Sequence, residues 1–250
     1  MAMQASRRIA AIVGDGDDGW SVYYRAKALT AAGERVINLT VGDHDVKTAP
    51  SVIDAMMESA RKGNLGYSPV MGSGALRDAI AARVAERTGA ATGRDNVIVM
   101  PGGQAGLFAA MTATLDPGDA CLLIDPWYAN FPITVRAVGA RVAPVAAPAA
   151  TDFAPDPAAI DAAAAESGAR ALLINTPNNP TGAVYPRATL EGIAEVCRAR
   201  DLWLIADELY DTQVYEGAHL SPRALPGMAE RTLVVGSLSK SHAMTGWRAG

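Results

Sequence analysis

The stretch SLSKSHAMTGWR (237–248) brings an amine, several hydroxyls and a guanidinium close together in the chain. An amine such as Lys240, held near another cation or in a dry pocket, loses proton affinity and can condense with a carbonyl. Arg248, eight residues on, offers a fixed fork of donors suited to a phosphate, and Ser237 adds a hydroxyl. A solvated surface loop is the ordinary setting for such a lysine, so other segments must point the same way. DELY (207–210) supplies a carboxylate, Asp207, and a phenol, Tyr210. That carboxylate can cap a helix or face a buried cation. NTPNNPTG (175–182) is either a turn cluster or a rigid mount for the amide of Asn179. PGGQAGLFAA (101–110) places Gly103 and Gln104 where backbone N–H groups at a helix start can meet a phosphate. It lacks the GK[ST] ending of a P-loop and the GxGxxG spacing, and a tight strand-to-helix turn has the same composition. Tyr67 lies in a glycine-flanked turn, GYSPVMGSG (66–74), where an ordinary surface tyrosine also fits.

These residues need elements to hold them. Short apolar runs at 96–103, 120–126, 169–177, 202–208 and 232–237 end in the polar groups just named. The runs are apolar throughout rather than alternating, as strands buried on both faces are. Between them, the spacing of Leu76, Ile80 and Val84 predicts a helix over 73–86. That of Leu190, Ile193, Ala194 and Cys197 predicts another over 187–200. Alternating strands and helices imply an α/β domain, three layers deep, with a mostly parallel sheet. Ligands of such sheets bind beyond the carboxyl ends of the strands, where Tyr128 also falls. Residues 1–45 read as an arm or part of a second domain, 46–250 as the large domain, and 143–160 as a Pro/Ala-rich surface connection.

Bulk properties narrow the function. The chain has 250 residues, 50% hydrophobic and 19% charged, with a formal net charge of -4. No basic block suggests a nucleic-acid partner. No stretch is long and apolar enough to cross a bilayer, and the N-terminal apolar run is too short for a secretory signal. Cys121 and Cys197 sit in apolar patterns and read as buried free thiols of a reducing compartment, so a cytoplasmic location is expected.

Singly each motif is ordinary. Together they describe one ligand. The glycine turn, Ser237 and Arg248 suit a phosphate, Asp207 a ring nitrogen, Asn179 and Tyr210 a phenolic oxygen, and Lys240 an aldehyde. That ligand is pyridoxal 5′-phosphate.

The same motifs, in order from LTVGDHD (39–45) through NNPTG and DELY to SLSKSHAMTGWR, resemble the class I/II aminotransferases of the fold-type I pyridoxal-phosphate superfamily. The resemblance implies a homodimeric transaminase moving an amino group between an L-amino acid and a 2-oxo acid, with a carbon–sulfur lyase of the same fold as the alternative. By position, Lys240 resembles the Schiff-base lysine and Asp207 the partner of the pyridine nitrogen. Asn179 and Tyr210 resemble the pair at the ring oxygen, and Tyr128 the aromatic stacked on the ring. Gly103, Gln104, Ser237 and Arg248 resemble the phosphate cup, and Tyr67 the tyrosine that reaches the neighbouring subunit's cofactor. Gly42 resembles the glycine at the substrate end of the N-terminal arm, and with Asn179 is expected to meet substrate. His44 stands where many relatives have proline. The resemblance further implies a C-terminal small domain, bearing an arginine for the substrate carboxylate, that has no counterpart in these 250 residues.

Overall fold

The computed structural model describes residues 3, 6–10, 12 and 20–250. Part of the expected arm, at residues 1, 2, 4, 5, 11 and 13–19, lies outside the described residues. Four helices come first: α1 (Arg7–Ala10), α2 (Ser21–Ala31), α3 (Pro50–Arg61) and α4 (Gly74–Thr88). The α/β body follows as α5 (Gly103–Thr114), β1 (Ala120–Asp125), α6 (Asn130–Ala137), β2 (Arg141–Ala146) and α7 (Pro157–Ser167). It continues as β3 (Ala171–Asn175), α8 (Arg187–Ala199), β4 (Trp203–Asp207), β5 (Thr232–Val235) and the short α9 (Leu238–Ser241).

The strands form one sheet in the order β2-β1-β3-β4-β5, with every pair parallel. The order reverses between β1 and β3. At such a reversal the connecting segments leave in opposite directions and open a crevice at the carboxyl ends. Tyr128 follows β1 and Asn179 follows β3, so the two candidates flank that crevice.

Alternation along the strands builds a core on each face. Leu122 and Ile124 of β1, Leu172 and Ile174 of β3, and Leu204 and Ala206 of β4 pack against Ile160 of α7 and Leu190, Ile193 and Cys197 of α8. Cys121, Leu123, Leu173 and Ile205 pack against Leu107 and Met111 of α5 and Phe131 and Val135 of α6. Burying an aliphatic side chain of this size contributes about 1.5–3 kcal/mol. Both cysteines are free and buried, as expected, and burial pushes each thiol up to about 12.

Local chemistry sets the helix ends. Asp156 caps α7 by accepting from the Ala158 N–H at 2.9 Å, Pro157 occupies its first turn, and Gly168 closes it in the left-handed region. The apolar stripe expected of α8 is buried at Leu190, Ile193, Ala194 and Cys197.

Three expectations change. Residues 97–100 join no ladder, and 101–102 bend, with the Gly102 N–H donating to the Met100 carbonyl at 2.7 Å. Met100 exchanges both backbone hydrogen bonds with Gly250 (2.7 and 3.0 Å), and Val99 donates to Met71. The span 143–160 is not purely a connection, because it holds the end of β2 and the start of α7. β2 is an edge strand, mostly accessible, and carries Pro144, which an edge tolerates. Its apolar run VAPVA is interrupted by that proline and followed by Pro/Ala-rich residues, which is the composition of a connection. In α4 the buried positions are Arg77 and Ala81, while Leu76 stays exposed. Arg77 is turned inward because its guanidinium donates to the carbonyls of Val97 (2.9 Å) and Arg94 (2.8 Å), holding the extended segment.

Candidate active site at the carboxyl ends of the strands

Asp207 ends β4 and is 5% exposed. Its Oδ1 accepts from the Leu209 N–H at 3.1 Å. Burial pushes the carboxyl up to about 7, the Leu209 N–H opposes this, and the neighbouring Glu208 adds to it. A desolvated carboxylate of this kind gains most from a cation brought to it.

Asn175 ends β3 and pairs in register with Asp207. Its Nδ2 donates to the Asp207 carbonyl at 3.0 Å and its Oδ1 accepts from the Asn179 N–H at 2.7 Å. The NNPTG loop is thereby fastened to the strand ends. Asn179 Nδ2 then donates to the Tyr210 hydroxyl at 3.3 Å. Burial raises the Tyr210 phenol above its usual range, against the lowering effect of that hydrogen bond.

Tyr128 leaves β1 on the same side. Its ring meets Phe131 edge-on, centroids 5.6 Å apart, and its hydroxyl accepts from Asn130 Nδ2 at 3.2 Å. Trp20 Nε1 donates to Asn130 Oδ1 at 3.3 Å, linking the N-terminal region to this aromatic. Burial raises the Tyr128 phenol, Asp207 raises it further, and Arg248 lowers it. Asp207 and Arg248 thus act on the Tyr128 phenol with opposite signs.

The anion-binding features meet at the start of α5. Gly102 has φ 87° and ψ 164°, a conformation open essentially to glycine alone. A Cβ there would overlap the Arg248 guanidinium, and one on Gly103 would come within 2.9 Å of Leu209. The N–H groups of the first helical turn, those of Gly103 and Gln104 among them, have no partner within a helix. The side chain of Gln104 turns instead to α6, donating to Thr134 Oγ1 at 2.6 Å. Ser237 caps α9, accepting from the Ser239 N–H at 3.1 Å, and its Oγ donates to the Ala249 carbonyl at 2.9 Å. Arg248 is itself in the left-handed region, φ 53°, and donates to the Thr245 carbonyl at 2.8 Å.

Lys240 lies on α9, and its Nζ donates to the Gly42 carbonyl at 2.7 Å. The GDHD turn is held there by Thr245, which donates to Asp43 at 3.2 Å, and Thr48, which donates to the Ala243 carbonyl at 2.8 Å. Gln213 Nε2 donates to the Lys240 carbonyl and approaches His44 Nε2, both at 3.4 Å. Tyr67 is not brought to the site of its own chain and is fully exposed.

Asn175, Asn130 and Gln213 are the contributors without an expected role. Asn175 stood inside NTPNNPTG, directly at a strand end, which was a usable signal. Gln213 sits in a loop that no periodicity marks.

The donor set fits a ligand with a dianionic end and a cationic ring nitrogen. The Arg248 guanidinium lies against Gly102 at the start of α5, and Asp207 is a buried carboxylate whose charge acts on Tyr128. Pyridoxal 5′-phosphate has those features together with an aldehyde for Lys240.

The sequence profile of the family "Aminotransferase class I and II" matches residues 34–250. An arginine–pyruvate transaminase of Pseudomonas aeruginosa is 43% identical over 239 residues, 96% of this chain and 61% of that protein. An aspartate/prephenate aminotransferase of Thermus thermophilus is 37% identical, over 92% of this chain and 59% of that protein. The solved aspartate aminotransferase of Thermus thermophilus with maleate superposes with a TM-score of 0.93 at 35% identity, covering 100% of this chain and 64% of that one. The chain thus spans about three fifths of the length of these relatives.

Proposed function

From the premise that this chain belongs to the class I and II aminotransferases, a pyridoxal-phosphate-dependent family, we propose that it is the cofactor-binding part of a transaminase. The reaction is the transfer of an amino group from an L-amino acid to a 2-oxo acid. The observation that supports this reading is the grouping of Asp207, Asn179, Tyr210 and Tyr128 at the carboxyl ends of β1, β3 and β4. The relatives named above bear transaminase names, which leaves the carbon–sulfur lyase reading without support.

When bound, pyridoxal phosphate supplies an aldehyde carbon that takes the amino group and a ring that withdraws electrons from the substrate Cα. Arg248, Ser237 and the N–H groups of Gly103 and Gln104 bind its phosphate. Asp207 holds a proton at the ring nitrogen, a role favoured by its burial. Asn179 and Tyr210 orient the ring through its phenolic oxygen, and Tyr128 covers one ring face. Lys240 Nζ takes the proton from the substrate Cα and returns it, as general base and then general acid. Gly42, whose carbonyl already meets Lys240 Nζ, lies on the substrate side with Asn179.

The same reading divides the chain into an arm over residues 1–45 and a cofactor domain over 46–250. It includes a homodimer in which the exposed Tyr67 reaches the phosphate site of the neighbouring subunit. Among the described residues no helix is long and apolar enough to cross a membrane. Two buried free thiols fit a cytoplasmic setting.

The test is an absorbance titration with pyridoxal phosphate, followed by L-arginine, L-aspartate, L-alanine or L-phenylalanine. The expected result is a visible band that Lys240→Ala removes and that one amino acid converts to the aminated form of the cofactor. The same band in Lys240→Ala overturns the lysine assignment.

A further inference from the structure

The fold holds a buried polar cluster that the proposed chemistry does not use. Glu208 follows Asp207 directly, and successive side chains of an extended segment point to opposite faces. The Glu208 N–H continues the β4–β5 pairing by donating to the Val235 carbonyl at 2.9 Å. Its side chain therefore leaves on the α7–α8 side, with Leu204 and Ala206, while Asp207 leaves on the α5–α6 side with Ile205.

There the carboxylate is fully engaged. Ser221 Oγ donates to Oε1 at 2.6 Å, and His219 Nε2 lies 3.1 Å from Oε2. Glu208 and Ser221 are each 7% exposed, and the His219 side chain is 3% exposed. The other imidazole nitrogen, Nδ1, is buried with no hydrogen-bond partner among the described residues. The one polar contact of the His219 ring is thus with Glu208. A lone ring contact that leaves a second nitrogen orphaned is costly, and such a group calls for a role.

The loop that carries His219 and Ser221 also carries Gln213, which donates to the Lys240 carbonyl. One end of the loop is fixed to the residue after Asp207, the other to the backbone of Lys240.

We propose that Glu208, His219 and Ser221 form a positioning clasp that fixes the 209–221 loop, so that Asp207 and Lys240 hold their mutual register around the ring. The clasp rests on the proposed transaminase reading, and it assigns these three residues no contact with cofactor or substrate. Strand parity offers only Asp207 on the cofactor face, and the clasp holds Glu208 and the loop behind it. The adjacent negative charge also adds to the upward displacement of the Asp207 carboxyl, so the two groups sense each other.

The experiment compares His219→Leu, His219→Gln, Ser221→Ala and Glu208→Gln with the unaltered chain by titration with pyridoxal phosphate. Two quantities are read: the dissociation constant, and the induced circular dichroism per bound cofactor, which reports how the ring is held. His219→Leu should weaken binding roughly tenfold and lower the dichroism, the scale of one lost charge-assisted hydrogen bond. His219→Gln, whose amide nitrogen replaces Nε2, should restore both. Should His219→Leu fail to fold, Ser221→Ala gives the same test, with a loss of about threefold expected from one weakened bond. Unchanged dichroism and affinity in the folded variants overturn the clasp while leaving the transaminase reading intact. Failure of His219→Gln to restore them also overturns it. A loss in Glu208→Gln as deep as that in Asp207→Asn overturns it too, since Glu208 would then be the ring partner. An unaltered chain with no cofactor band overturns both proposals.

Discussion

Asn175 and Asp207 end adjacent parallel strands in register, and the Asn175 side chain adds a hydrogen bond of 3.0 Å to the Asp207 carbonyl. The same amide accepts from the Asn179 N–H at 2.7 Å. One buried side chain thus ties the ring-nitrogen candidate to the loop bearing the ring-oxygen candidate. Asn175→Ala should remove two buried hydrogen bonds and cost roughly 2–4 kcal/mol. Urea unfolding measures that cost, and the cofactor titration should show weaker binding as Asn179 loses its anchor. Wild-type values for both would mean that the loop is held by other contacts.

Asp207 also gives a pH signature. Its carboxyl stands at about 7 in the fold and near 4 when unfolded. Between these values the folded chain keeps a proton that the unfolded chain releases. Stability from this group is therefore complete below about pH 4 and falls as pH rises, levelling above about 7. Over that window the loss is roughly 3–4 kcal/mol. Urea midpoints at pH 5 and pH 8, without cofactor, should differ in that direction, and Asp207→Asn should flatten the difference. Added pyridoxal phosphate should recover stability mainly at the higher pH, where Asp207 is anionic.

The parts of this fold that were legible in the sequence share one property: their residues report a single dominant force. The runs of β1, β3 and β4 are buried on both faces and read as apolar stretches, and the half-buried edge strand β5 keeps the apolar run LVV. α8 shows its stripe because one side of it meets the sheet core. β2 escaped because Pro144 interrupts its run VAPVA and, with the Pro/Ala-rich residues after it, gives it the composition of a connection. The stripe of α4 misled because Arg77 is buried by hydrogen bonds to two carbonyls, a tertiary demand that apolar spacing does not encode. At the site, residues at strand ends were legible because topology places ligands there. The Glu208–His219–Ser221 cluster was not, since His219 lies in an irregular loop and its partner is recognised only once strand parity is known.

Gly102 offers a test of the phosphate region alone. At φ 87° and ψ 164° a side chain is strained by about 1–3 kcal/mol, and its Cβ would displace Arg248. Gly102→Ala should weaken pyridoxal phosphate binding about tenfold or more, which is the scale of one displaced charged contact. Pyridoxal, lacking the phosphate, should bind the variant and the unaltered chain alike. Equal losses for both compounds would show that the substitution damages the whole crevice.

Tyr67 is fully exposed in a turn ahead of α4. If it completes a neighbour's phosphate site, each site draws on two subunits. Tyr67→Ala and Lys240→Ala then damage the same site from opposite chains. Each variant alone should lack tight binding that gives the visible band. Unfolding and refolding them together at equal amounts should give half hybrids, each with one intact site, so about a quarter of all sites should regain that band. Centrifugation of the mixture checks that the recovered species is a dimer. No recovery in a dimeric mixture would place Tyr67 outside the cofactor site and make its turn part of some other contact.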